Sequence, residues 1–283
     1  IFGDDIGWMN VSSYGSDIMG VSTPNIDRIG REGLRLGAFY AQPSCTAGRA
    51  AFITGQLPVR TGLTTVGTPG SPAGLKAEDI TLAEILKTKG YATAQYGKNH
   101  LGDLDEHLPC RHGFDEFWGN LYHLNANEDL EDPDRPTNPE FQKKFNPRGI
   151  VACTAGGPAQ DEGQLTIERM KTFDDEVAAK SVDFLDHRAK DGQPFFLWHN
   201  ATRQHVFIHL KPESQGLSRA GREDIYGQGL KEHDGHVGLL LAKLDQTGLA
   251  KNTIVIYTSD NGAYQYMWPE GGTQLFRGDK GTT

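Results

Sequence analysis

Four side chains near opposite ends of the 283-residue chain offer one kind of donor atom. Asp4 and Asp5 stand near the start, Asp260 and Asn261 near the end, and together they supply three carboxylates and an amide oxygen. A hard-oxygen set without thiolate or imidazole suits Ca²⁺ or Mg²⁺ and not Zn²⁺. Either pair alone could equally cap a turn, a common use of Asp and Asn. Cys45 precedes Arg49 by one helical turn, so the two face the same way if the segment is helical. The commonest fate of a lone cysteine is a buried structural thiol. A thiolate nucleophile is the second option, but no Cys-His-Asn order of a cysteine hydrolase is evident. Lys98 and His100 are separated by one residue and share a side if the chain there is extended.

The elements that must position these residues are legible from pattern. Thr23-Pro24 followed by Ile26, Ile29 and Gly33 reads as a short helix with Thr as N-cap and Gly after its end. Thr81-Leu82-Ala83-Glu84 is a capping box opening a helix to Lys89, stopped at Gly90. Residues 91–96 then read as a strand, 174–189 as a helix with Val177, Val182 and Leu185 on one face, and 195–198 as the next strand. Residues 232–249 form an amphipathic helix closing at Gly248, and 253–257 read as a buried β-branched strand. Alternation of strands and helices implies an α/β fold, with a largely parallel (mixed) sheet and helices on both faces. Ligands in such sheets bind beyond the carboxyl ends of the strands. Asp4-Asp5 follow the strand at Ile1-Phe2, Lys98 and His100 follow 91–96, His205 follows 195–198, and Asp260-Asn261 follow 253–257. Residues 119–145, with Glu128, Asp129, Glu131, Asp132 and Asp134, have turn composition and read as a solvated excursion.

Formal net charge is −9, which argues against sequence-independent nucleic-acid binding, since that needs clustered Lys and Arg. An anionic substrate would have to be drawn by local cations. No apolar run approaches the roughly 20 residues of a bilayer span. Three cysteines are too few for a disulfide scaffold; Cys110 and Cys153 are expected as free, inert thiols, although pairing stays open.

Five motifs carry a family resemblance. Cys45-Thr46-Ala47-Gly48-Arg49 resembles the Cys-x-Pro/Ala-x-Arg signature of type I sulfatases. Ile1 to Trp8, Gly97-Lys98-Asn99-His100-Leu101-Gly102, Tyr257 to Gly262 and Phe276 to Thr283 are similar to further motifs of that family, in family order. The resemblance, within the alkaline phosphatase superfamily, implies a sulfatase hydrolysing an aryl, alkyl or sugar sulfate monoester to an alcohol and inorganic sulfate. It implies that a maturation enzyme oxidises Cys45 to formylglycine, whose hydrate is the nucleophile. It favours Ca²⁺ over Mg²⁺, held by Asp4, Asp5, Asp260 and Asn261, with the oxygen at position 45 completing the shell. It assigns Arg49 to stabilising the nucleophile and Lys98 and Lys280 to sulfate oxygens. His100 falls to a formylglycine hydroxyl, and His205 to sulfate and the leaving oxygen. His199 and His209, like His112 and His123, are expected to be structural. Asn99 stands where many relatives carry tryptophan.

Two other readings stay open. One is a phosphonate monoester or phosphodiester hydrolase of the same superfamily, and the other is an inactive sulfatase-like binding module. Relatives are usually longer, so residues 1–283 are expected to be a catalytic domain truncated at both ends and lacking a C-terminal subdomain. The resemblance favours a periplasmic or secreted location, with a cytoplasmic one possible.

Overall fold

The computed structural model describes residues 1–15, 18–217, 221 and 223–282, so Thr283, which closes the last motif, lies outside the described residues. Its strands are β1 (Phe2–Gly3), β2 (Ala92–Gly97), β3 (Glu116–Asn120), β4 (Ile150–Thr154), β5 (Gln160–Asp161), β6 (Phe195–Asn200) and β7 (Thr258–Ser259). They form one sheet in the order β5-β4-β3-β2-β6-β1-β7. From β3 to β7 every pairing is parallel, while β4 and β5 run antiparallel at the far edge. The expected α/β architecture with a mixed, largely parallel sheet is what the chain adopts.

Strand β6 shows why both faces are covered. Successive side chains of a strand point to opposite faces. Phe195 and Leu197 pack with Phe173, Val177, Phe184 and Leu185 of the Phe173–Asp191 helix. Phe196 and Trp198 pack with Ala50 and Ile53 of the Cys45–Thr54 helix and with Phe2. The Ile225–Thr247 helix joins the first face through Leu240 and Leu244, and its Leu230, Val237 and Leu241 bury Ile26 of the Pro24–Glu32 helix. Burying each such side chain contributes roughly 1.5–3 kcal/mol. The Thr81–Glu84 capping box forms as expected, opening the Leu82–Lys87 helix.

Three expectations need correction. Residues 253–257 are not a buried strand: pairing with β1 begins only at Thr258, and Ile254 and Ile256 are 89% and 55% exposed. The segment lies against an edge of the sheet, where β-branched composition marks an extended chain but burial depends on a neighbour. Residues 119–145 do not form one solvated excursion. Gly119 and Asn120 end the buried strand β3, Leu121 and Tyr122 are buried, and exposure dominates only from Glu131 onward. Acidic side chains further along masked that short strand. Finally, Cys110 and Cys153 are joined in a disulfide that links the turn before β3 to β4. Antiparallel pairing of Phe117 with Cys153 brings Cys153 to Cys110, 43 residues away in sequence, which spacing alone does not disclose. Among the described residues no helix is long and apolar enough to cross a membrane.

Candidate active site

The sequence-selected residues meet at the carboxyl ends of β1, β2, β6 and β7. Consecutive residues of a strand point to opposite sides, so Asp4 and Asp5 could share a spot only if the backbone turned. Asp5 does this with φ 57°, a left-handed conformation uncommon outside glycine. His100 is likewise left-handed at φ 58°, so it and Lys98 converge through a turn and not through strand alternation. Such strain costs on the order of 1–3 kcal/mol per residue and gathers at functional sites.

Cys45 is the first residue of its helix and fully buried. Its Sγ lies 3.7 Å from Asp4 Oδ1 and 3.9 Å from Asp5 Oδ1. The helix reaches this depth because Gly48 has no side chain: a Cβ there would stand 1.9 Å from Asp260 O. Arg49, one turn on and also buried, donates from Nε to Asp260 Oδ2 at 2.9 Å and from Nη1 to Lys98 O at 2.8 Å. Its Nη2 lies 3.8 Å from Asp4 Oδ1. Lys98 Nζ donates to Asp4 Oδ2 at 2.6 Å, and Lys280 Nζ to Asp5 Oδ2 at 2.8 Å. Three buried carboxylates thus face three cations. His205 Nε2 stands 4.0 Å from Asp5 Oδ2.

Electrostatics follow burial and these pairings. Burial raises Asp4 to about 7 despite Lys98, and raises Asp5 against the pull of Lys280. Burial also opposes ionisation of Asp260, but Arg49, Lys98 and Lys280 outweigh it and hold that carboxyl at about 2. Desolvation pushes the Cys45 thiol up, Lys98 notwithstanding, so the unmodified side chain is a poor thiolate nucleophile. Burial and Lys98 hold both His100 and His205 well below the usual imidazole range.

The donor set fits a hard cation. One ligand atom from each of Asp4, Asp5, Cys45 and Asp260 lies within 4.8 Å of the others. Asn261 Nδ2 donates to Asp5 Oδ1 at 2.6 Å, while its Oδ1 is buried without a hydrogen-bond partner. An orphaned buried oxygen beside three carboxylates is a position that a cation satisfies.

The other expected placements divide. His199 Nδ1 pairs with Ser181 Oγ at 2.9 Å, His209 Nε2 with Glu128 Oε2 at 2.9 Å, and His112 Nε2 with Glu106 O at 2.9 Å. His123, expected to be structural, caps the Leu124–Glu128 helix and also lies beside His100 and His205. Its ring stacks on His205 at 5.0 Å and meets His100 edge-on at 5.3 Å. The signal that marks it is position: it follows the carboxyl end of β3, as Asp4, Lys98, His205 and Asp260 follow β1, β2, β6 and β7.

The sulfatase family model matches residues 1–283, and the chain belongs to the sulfatase family. It is 32% identical to N-acetylgalactosamine-6-sulfatase of Rattus norvegicus over 283 aligned residues, covering 95% of this chain and 51% of that protein. It is 34% identical to arylsulfatase A of Bos taurus, over 100% of this chain and 55% of that protein. The chain therefore spans about half the length of the curated relatives it matches. In three dimensions it resembles the PsFucS1 sulfatase from Pseudoalteromonas sp., with a TM-score of 0.88 and 34% identity, covering all of this chain and 58% of that one.

Proposed function

We propose that this chain carries the catalytic centre of a sulfuric ester hydrolase that cleaves a sulfate monoester to an alcohol and inorganic sulfate. The observation that carries the reading is the buried Cys45, held by Arg49's helix against Asp4 and Asp5, the carboxylates on which Lys98 and Lys280 converge. Asp4, Asp5, Asp260 and Asn261 would hold Ca²⁺, which supplies positive charge at the oxygen of position 45. Cys45 oxidised to formylglycine would supply, when hydrated, one hydroxyl to attack sulfur and a second to drive sulfate release.

The remaining work belongs to side chains in place. With the carboxylates occupied by a cation, Lys98 and Lys280 are free to bind sulfate oxygens, and preorganised cations there stabilise charge developing in sulfuryl transfer. Arg49 holds Asp260 ionised and in position. His205 protonates the leaving oxygen, and His100 accepts a proton during release of sulfate. Because the free pocket holds His205 neutral, the anionic substrate itself raises that pKa and makes the acid available. Sulfated saccharides are the substrate class favoured by the N-acetylgalactosamine-6-sulfatase relatives. The Cys110–Cys153 disulfide supports an oxidising compartment, periplasmic or secreted.

The test joins chemistry at position 45 to turnover. Protein produced with a formylglycine-generating enzyme should lose the thiol mass, label with aldehyde probes on the peptide containing Arg49, and hydrolyse aryl sulfates. Chelation of Ca²⁺ should abolish that rate. Full activity from an all-thiol preparation, or turnover indifferent to chelation, refutes the mechanism; faster cleavage of aryl phosphonate esters shifts the assignment to phosphonate hydrolysis.

A further inference from the structure

His123 leaves the end of β3 and serves as N-cap of the short Leu124–Glu128 helix. Its Nδ1 accepts a hydrogen bond from the Ala126 backbone N–H at 3.2 Å. An accepting ring nitrogen carries no proton, so the neutral imidazole holds its proton on Nε2. The ring therefore has one donor to offer and no free acceptor. It lies face to face with His205, planes within 8°, and edge-on to His100. Burial, Lys98 and Lys280 push its pKa down to about 3, so the ring stays neutral. A neutral N–H donor packed against His100 and His205 is suited to one task.

We propose that His123 is a third histidine of the sulfate pocket, donating its Nε2–H to an oxygen of the bound anion and transferring no proton. The assignment rests on the sulfate-ester reading above and deepens it. Nδ1 is committed to the helix cap and Nε2 already bears hydrogen, so His123 binds charge whereas His100 and His205 move protons. Its flat contact with His205 also keeps the two rings in register beneath one ligand.

The experiment is equilibrium binding of inorganic sulfate to the Ca²⁺-loaded full chain, by calorimetry, beside thermal melting. H123N keeps a cap acceptor for Ala126 N–H and offers an N–H donor to the anion. H123D keeps the cap with a carboxylate in place of the donor, and H123F keeps an aromatic face against His205 with neither. Sulfate affinity should stay within about threefold of wild type in H123N and fall about tenfold in H123F, the scale of one lost hydrogen bond to a charged group. In H123D it should fall further, at a melting temperature matching H123N. Affinity retained in H123F, or lost equally in H123N and H123D, overturns the proposal and leaves a packing role. A wild-type protein that hydrolyses sulfate esters while all three variants bind sulfate normally removes this inference alone. A wild-type protein that neither binds sulfate nor hydrolyses its esters removes the sulfate-ester reading as well.

Discussion

At the scale of single residues, the site displaces the pKa values of ionisable groups from those they have in water. Asp260 is kept ionised by Arg49, Lys98 and Lys280, whereas His205 is kept neutral by burial and Lys98. The latter bears on the acid role proposed for His205, because a general acid must be protonated when it acts. On the proposed mechanism an anionic ester raises the His205 pKa, so the loss of rate on the alkaline side should appear at lower pH in kcat/KM, which reports the free enzyme, than in kcat. The His205→Ala variant should lose that separation and should slow poor leaving groups about tenfold or more beyond activated aryl esters. Coincident limbs in the wild-type profiles, or equal losses on both ester types, would remove His205 from the acid role. The His100→Ala variant should instead accumulate a sulfated enzyme, seen as a mass increase during turnover.

Elements matter here through close approach. The Cys45 helix meets the chain after β7 at Gly48, where a Cβ would overlap the Asp260 carbonyl at 1.9 Å. Gly48→Ala must displace either the helix carrying Cys45 and Arg49 or the loop carrying Asp260. Overpacking of this kind costs about 1–3 kcal/mol, and an ångström of misplacement costs on the order of a hundredfold in rate. Gly235 offers the control, because it lies in the Ile225–Thr247 helix with open space around its Cα. Gly235→Ala should stabilise by roughly 0.5–1 kcal/mol, the helix preference for Ala over Gly, without altering kcat. Thermal melts and Ca²⁺ titrations of the two variants check this contrast. Equal behaviour would mean that the helix and the Asp260 loop are not in the contact described.

For the molecule as a whole, charge is distributed against its own average: the chain carries a net −9, yet Arg49, Lys98 and Lys280 converge on one rim. The same burial couples stability to pH. Burial is the leading cause that lowers His100, His123, His199, His205 and His233, with His123 and His233 brought to about 3. Their folded pKa values lie below the unfolded value near 6.5, so the stability they contribute is complete above that pH and is lost as pH falls toward 3. Asp4 and Asp5 act in the opposite sense, since their folded pKa values are raised and protonation relieves the buried charge. The lowered histidines, His112 included, outnumber the raised carboxylates, Asp234 included. Metal-free protein should therefore melt at a lower temperature at pH 5 than at pH 7, and an equal or higher value would show that the carboxylates dominate.

Much of the candidate site is legible in the sequence. Residue type selects chemistry, so three carboxylates and an amide oxygen already suit a hard cation. Strand–helix alternation likewise places the residues after each strand on one rim, because parallel strands present their carboxyl ends together. Local signals also sufficed for the Thr81–Glu84 capping box and the Phe173–Asp191 helix, since caps and helical periodicity act within a few residues. Tertiary structure decided what depends on partners distant in sequence. The Cys110–Cys153 disulfide required β4 to fold back beside β3, and the exposure of Ile254 depends on which strand is the edge of the sheet. The left-handed turns at Asp5 and His100 are imposed by surroundings that outweigh their strain. His123 enters the site only because β3 lies next to β2 and delivers its carboxyl end beside His100 and His205. A histidine's type permits many roles, and its neighbours, which the chain order does not disclose, select among them.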